Sequence, residues 1–123
     1  MKKLFAVTLL AVTLVSLTGC AGPAPYTKFQ DAEASCAASS GVSVLDDGTT
    51  LTVDMMGEDE LSGATYDDVS CIVDEVGTPS YVKDEMWATR AIDGRQSEVF
   101  EDVTVKWSYS PGSGMQITYH KTK

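Results

Sequence analysis

The tightest constraint on the fold of this chain lies in residues 103–119. Val103, Val105, Trp107 and Tyr109 alternate there with Thr104, Lys106 and Ser108, and Met115, Ile117 and Tyr119 resume the pattern after Ser110-Pro111-Gly112-Ser113-Gly114. Successive side chains of a strand point to opposite faces, so a period of two specifies a strand with one apolar face and is incompatible with a helix. A five-residue turn at 110–114 sets Tyr109 opposite Met115, Trp107 opposite Ile117 and Val105 opposite Tyr119, placing every apolar side chain on the same face. A slip of one residue would turn that whole face to water, so the register is strongly specified. Such a hairpin needs further strands or a helix across its apolar face to be stable.

The rest of the chain supplies them. Residues 42–54 read as a second hairpin around a two-residue Asp47-Gly48 turn, with Val44 opposite Leu51 and Val42 opposite Val53. Val69, Ile72, Val73 and Val76 recur at helical spacing behind the capping signature Thr65-Tyr66-Asp67-Asp68, and Gly77-Thr78-Pro79 ends the run. That predicts a helix over 65–76. A shorter helix is expected at 28–39. There Thr27 and Gln30 would form a capping box, Phe29, Ala32 and Cys36 would share a face, and Gly41 would supply the stop. Residues 81–92, with Trp87, Thr89 and Ile92, read as a strand, and Val99-Phe100 as a candidate short one. The expected fold class is α+β, in the order α-β-β-α-β-β-β. Two helices would pack on one face of an antiparallel sheet of about five strands, leaving the opposite face partly open and polar.

The N-terminus carries an address. Met1-Lys2-Lys3 is a short basic segment, and residues 4–17 are apolar apart from Thr and Ser. That matches a secretion signal helix and falls short of the ~20 apolar residues of a membrane span. The segment ends Leu17-Thr18-Gly19-Cys20, which resembles the bacterial lipobox. The resemblance implies cleavage before Cys20, a diacylglyceryl group on its thiol, and acylation sufficient for stable anchoring, since one chain alone binds marginally. The domain organisation expected is a signal peptide at 1–19, a lipidated cysteine and Ala/Gly/Pro tether at 20–26, and one domain at 27–123. The localisation expected is the outer face of the cell membrane, or the outer membrane in a Gram-negative host.

With Lys2 and Lys3 removed by cleavage, the 9 Lys+Arg fall to 7 against 18 Asp+Glu, a formal balance of −11. That argues against nucleic acid, whose phosphates need a basic footprint, and against a broad polybasic contact with anionic lipid. Solubility beside a negative envelope accounts for the charge, with a basic partner or divalent cations as the sharper alternative. Cys36 and Cys71 remain after Cys20 is assigned to lipid, and two thiols in an exported domain usually form one disulfide. Free thiols or metal ligation are the alternatives, although there is no CxxC and only one His. At 100° per residue, Cys71 lies about 150° from the centre of the apolar stripe of its helix. The bond would therefore staple the first helix at or over the outer flank of the second.

No residue constellation announces chemistry. His120 is the single histidine and faces opposite Tyr119, and no Gly-x-Ser-x-Gly elbow is present. Asp46-Asp47 and Asp67-Asp68 suit a turn and a helix cap. Glu58-Asp59-Glu60 does not match the alternating oxygen ligands of a calcium loop. Trp87, Trp107, Tyr109 and Tyr119 are expected to be core, with a surface for binding as the alternative. No cofactor is expected.

Residues 65–120, with Val69-x-x-Ile72-Val73, then Gly77-x-Pro79, then Trp107-x-Tyr109, resemble the small lipoproteins of outer-membrane assembly and the repeat unit of beta-lactamase inhibitor proteins. Those families stack helices on an antiparallel sheet and bind proteins. The hairpin at 42–54 and the cysteine at 71 depart from that pattern. The lipobox, the Asp47-Gly48 hairpin and Trp107-Ser108-Tyr109 together look like small lipoproteins of high-GC Gram-positive bacteria, a likeness that implies no activity. The expected function is a non-enzymatic module that engages another envelope protein, with small-ligand or divalent-cation binding as the alternative.

Overall fold

The computed structural model of the chain describes Gly19 and residues 22–122. The expected signal segment, apart from Gly19, and the expected lipid-attachment residue Cys20 lie outside them. Eight regular elements follow one another: α1 (Lys28–Cys36), β1 (Val42–Leu45), β2 (Thr50–Asp54), α2 (Tyr66–Glu75), α3 (Ser80–Ala88), β3 (Gln96–Phe100), β4 (Val103–Ser110) and β5 (Gly114–Lys121). The fold is α+β. Five antiparallel strands form one sheet in the order β1-β2-β5-β4-β3, so the first hairpin docks against the last strand of the second.

The alternation of residues 103–119 becomes the centre of the sheet. Val105 pairs with Tyr119, Trp107 with Ile117 and Tyr109 with Met115. In the first hairpin Val44 pairs with Leu51 and Val42 with Val53. Its connection is longer than the two-residue turn expected. Four residues separate Leu45 from Thr50, with Asp46, Asp47 and Gly48 all at positive φ. Asp tolerates that region through local hydrogen bonding, which lets the loop widen without moving the register.

α2 forms as its periodicity predicts. Thr65 and Asp68 close a reciprocal capping box, and Val69, Ile72, Val73 and Val76 are all buried. α1 differs at both ends. Thr27 makes no cap to the backbone, and its hydroxyl donates to Asp31 at 2.9 Å instead. The helix ends at Cys36, short of the expected residue 39, and Ala37 closes it in the left-handed conformation at φ 47. Gly41 (φ 77) is therefore not the stop. It permits a close approach of backbones, since a Cβ there would run into Asp54 and Ala64.

The expected strand at 81–92 is a helix. Ser80–Ala88 forms α3, and residues 91–93 add a turn of 3₁₀ helix. Tyr81, Val82 and Trp87 favour strands individually, but Val82 and Met86 stand four residues apart and both are fully buried. The helical spacing of those two side chains overrides the local preference. Lys83 pairs with Asp74 of α2 at 2.8 Å, and Ile92 is 85% exposed. The fifth strand is β3, at 96–100. It contains the short Val99-Phe100 candidate and forms an edge.

The three helices contribute Phe29, Ala32, Ile72, Val76, Val82 and Met86 to one continuous core with Leu51, Val53, Val105, Trp107, Ile117 and Tyr119 of the sheet. Two of its polar aromatic atoms are paired: Trp107 Nε1 donates to Thr89 Oγ1 at 2.8 Å, and Tyr119 Oη lies 2.9 Å from Thr78 Oγ1, while the buried Tyr26 hydroxyl at its edge has no partner among the described residues. A disulfide joins Cys36 to Cys71 with the Cα atoms 5.7 Å apart, binding the end of α1 to the flank of α2 away from its buried stripe.

Candidate functional site

The geometry of the sheet concentrates exposed aromatic surface at one end. α2 begins and α3 ends beside the β4–β5 turn. Tyr66, the first residue of α2, is held by the Thr65–Asp68 capping box. Trp87 sits next to last in α3, whose end is tied by Thr89 Oγ1 donating to the Glu85 carbonyl at 2.7 Å. The two rings meet with centroids 4.9 Å apart and planes inclined by 42°. They remain 55% and 37% exposed.

Behind them Met55, Thr89, Tyr109 and Met115 complete a cleft of about 310 Å³. Its frame is rigid. Met55 N donates to the Met115 carbonyl at 2.9 Å, and Glu58 N to the Pro111 carbonyl at 2.9 Å, stitching the 55–64 loop onto the β4–β5 turn. Gly114 (φ 65) is needed there, because a Cβ would strike the Met55 carbonyl oxygen. Thr89 also borders a second cavity, of about 440 Å³, lined by Glu85, Ala88, Asp93, Gln96 and Trp107. The rim is acidic: Asp67 follows Tyr66, Asp84 and Glu85 precede Trp87, and Glu58-Asp59 stand on the adjoining loop, all exposed.

The four aromatics singled out in the sequence divide between roles. Trp107 and Tyr119 are core, Tyr109 is half-buried at the back of the cleft, and Trp87 is surface. Tyr66 and Met55 are functional candidates that sequence reasoning missed, because only tertiary contacts bring residues 55, 66, 87, 109 and 115 together. Within the acid clusters, Asp68 and Glu60 hold backbone in place. Asp68 accepts from the Thr65 backbone N–H at 2.9 Å, and that bond and the Thr65 hydroxyl hold its carboxyl below the usual aspartate range. Glu60 accepts from Gly57 N at 3.0 Å. Among the described residues, no group of three His, Cys, Asp or Glu side chains comes together to hold a metal ion. His120 faces away from the core, its Nδ1 2.9 Å from Thr50 Oγ1.

The chain enters the domain at the other end of the sheet. Tyr26 packs edge-on against Phe29 at 5.2 Å and lies under the Lys121 ammonium, while Lys28 pairs with Glu101. Burial, then Asp102 and Glu101, push the Tyr26 hydroxyl up to about 12. Val103 at this end and Tyr109 at the cleft lie six residue steps apart along β4, roughly 20 Å at the strand rise.

No protein-family model matches the chain, and no match is found among curated proteins or solved structures.

Proposed function

We propose that this chain is an exported lipoprotein, cut before Cys20 and anchored to the outer face of the cell membrane by lipid on that cysteine. In a Gram-negative host the anchor would be in the outer membrane. Its domain is a non-enzymatic module that binds another envelope protein through the Tyr66–Trp87 cleft. The observation that carries this reading is the pair of exposed aromatic rings in contact at the mouth of an apolar cleft. Large aromatic side chains over a desolvated pocket are what concentrates binding energy in protein interfaces. The acidic rim selects the partner: an apolar anchor residue flanked by Lys or Arg would enter the cleft with its charges matched. The tether joins the domain at the end opposite the cleft, which leaves the cleft free of the anchor.

A photo-crosslinking residue at position 66 or 87, in membranes of a cell that makes the protein natively, tests the binding claim. A discrete adduct with one envelope protein is expected, and Trp87→Ala in a chain crosslinked elsewhere on the rim should weaken its yield about 30-fold or more, the loss of a central interface aromatic. Absence of any discrete adduct from both positions overturns it. Radiolabelled palmitate should enter the chain and be lost in Cys20→Ser; equal labelling of the variant would remove the anchor from the proposal. The second reading, a small apolar ligand, is favoured by the cleft volume, at the lower edge of ligand pockets. Native mass spectrometry of the purified chain would then show a retained small-molecule adduct.

A further inference from the structure

The face of the sheet turned away from the helices has a charge pattern unlike the rest of the molecule. Three cations of the domain are neutralised locally, Lys28 by Glu101, Lys83 by Asp74 and Arg90 by Asp93. Lys121 lies over the Tyr26 ring. Lys106 and Arg95 have no ion-pair partner among the described residues, and both border Thr118. Lys106 is its cross-strand neighbour, and Arg95 Nη2 donates to its hydroxyl at 3.3 Å. One step along the same face, Thr104 pairs with His120 and His120 with Thr50. The imidazole is held by Thr50 through Nδ1, and its other nitrogen has no partner among the described residues. Thr50, Thr104, Lys106, Thr118 and His120 enclose a hollow of about 360 Å³. Asp54, a carboxylate on this face, is engaged with Gln116. It stands two strands and one step from Lys106, on the order of 10 Å, beyond the screening length of physiological salt.

We propose that this hollow is an oxyanion site that takes a phosphoryl group. Lys106 and Arg95 supply the charge, Arg95 with a fork suited to two oxygens, while the Thr104 and Thr118 hydroxyls and the imidazole Nε2–H, in the tautomer whose Nδ1 accepts from Thr50, supply donors at the edge. In a domain that otherwise carries a large acidic excess, a phosphoryl group meets an attractive field here and a repulsive one elsewhere on the surface. The site stands apart from the aromatic cleft and does not depend on it.

The test is a titration of the full chain in non-ionic detergent with inorganic phosphate at constant ionic strength, followed by amide NMR. Saturable shifts centred on Thr104, Lys106, Thr118 and His120 are expected, with a Kd on the order of 1 mM, and none with chloride. Lys106→Gln and Arg95→Gln should each weaken binding about fivefold to tenfold, while Lys83→Gln, whose ammonium is already paired, should leave it unchanged. All three substitutions are on exposed or half-exposed side chains, and the spectrum of each variant reports its fold directly. Shifts that rise linearly without saturation, that centre on other residues, or that keep the same Kd in both Lys106→Gln and Arg95→Gln overturn the proposal.

Discussion

At the scale of single residues, Thr65 and Asp68 show how a short motif is built to position a site. Their reciprocal bonds satisfy two backbone N–H groups that would otherwise be orphaned at the start of α2, and they set the direction in which Tyr66 leaves the helix. Thr65→Ala should lower stability by about 1 kcal/mol in denaturant titrations. The pH dependence has a definite sign. Asp68 is held below its ordinary value in the folded chain, so its contribution is complete above the unfolded value near 4 and lost as pH falls through the depressed one. The stability difference between the natural chain and Asp68→Asn should therefore be full at neutral pH and shrink below about pH 4; a difference that stays constant down to acid unfolding would contradict this. This cap was legible in the sequence because every partner lies within four residues. The apparent Thr27–Gln30 cap has the same spacing yet does not form, since Asp31 competes for the Thr27 hydroxyl.

Among the elements, the two that matter most are α2 and α3, and they were not equally readable. α2 and its C-cap Val76 carry four buried residues at helical period and a stop signal, so local and tertiary preferences coincide there. α3 carries two buried residues, Val82 and Met86, and mixes strand formers (Tyr81, Val82, Trp87) with helix formers (Lys83, Glu85, Met86, Ala88), so packing on the sheet settles the choice. Met86→Ala should cost about 2–5 kcal/mol, with the loss measured by chemical denaturation; a loss below about 1 kcal/mol would mean α3 is weakly docked. α1 is short and depends on its staple. Closing a 35-residue loop, the Cys36–Cys71 disulfide should contribute about 3–4 kcal/mol. Reduction, or paired replacement by Ser, should lower the denaturation midpoint accordingly without changing the register of the sheet.

For the whole molecule, the order β1-β2-β5-β4-β3 makes β5 the central strand, bonded to β2 of the first hairpin and to β4 of its own. Amides of Val105 and Ile117 should exchange with solvent only on global unfolding, while those of the edge strands, Ser43 and Ser97, should exchange through local opening at least about tenfold faster. Equal protection across all five strands would count against this organisation. The same order separates three surfaces: the tether end at Tyr26, the aromatic cleft some 20 Å along the strands, and the open polar face with Lys106 and Arg95. The helices cover one face and leave the other to solvent, as an antiparallel sheet permits.

Local pattern was enough for the α+β class, both hairpin registers, α2 with its cap, and the pairing of Cys36 with Cys71. Each rests on short-range periodicity, turn chemistry or cysteine arithmetic, where the interacting residues announce themselves by spacing. Three-dimensional packing was needed to make residues 80–88 helical, to lay β2 against β5, and to gather Met55, Tyr66, Trp87, Tyr109 and Met115 into one cleft. No local rule relates those positions. They meet because the two amphipathic hairpins bury one shared face, and the helices that cover it must end where that face ends.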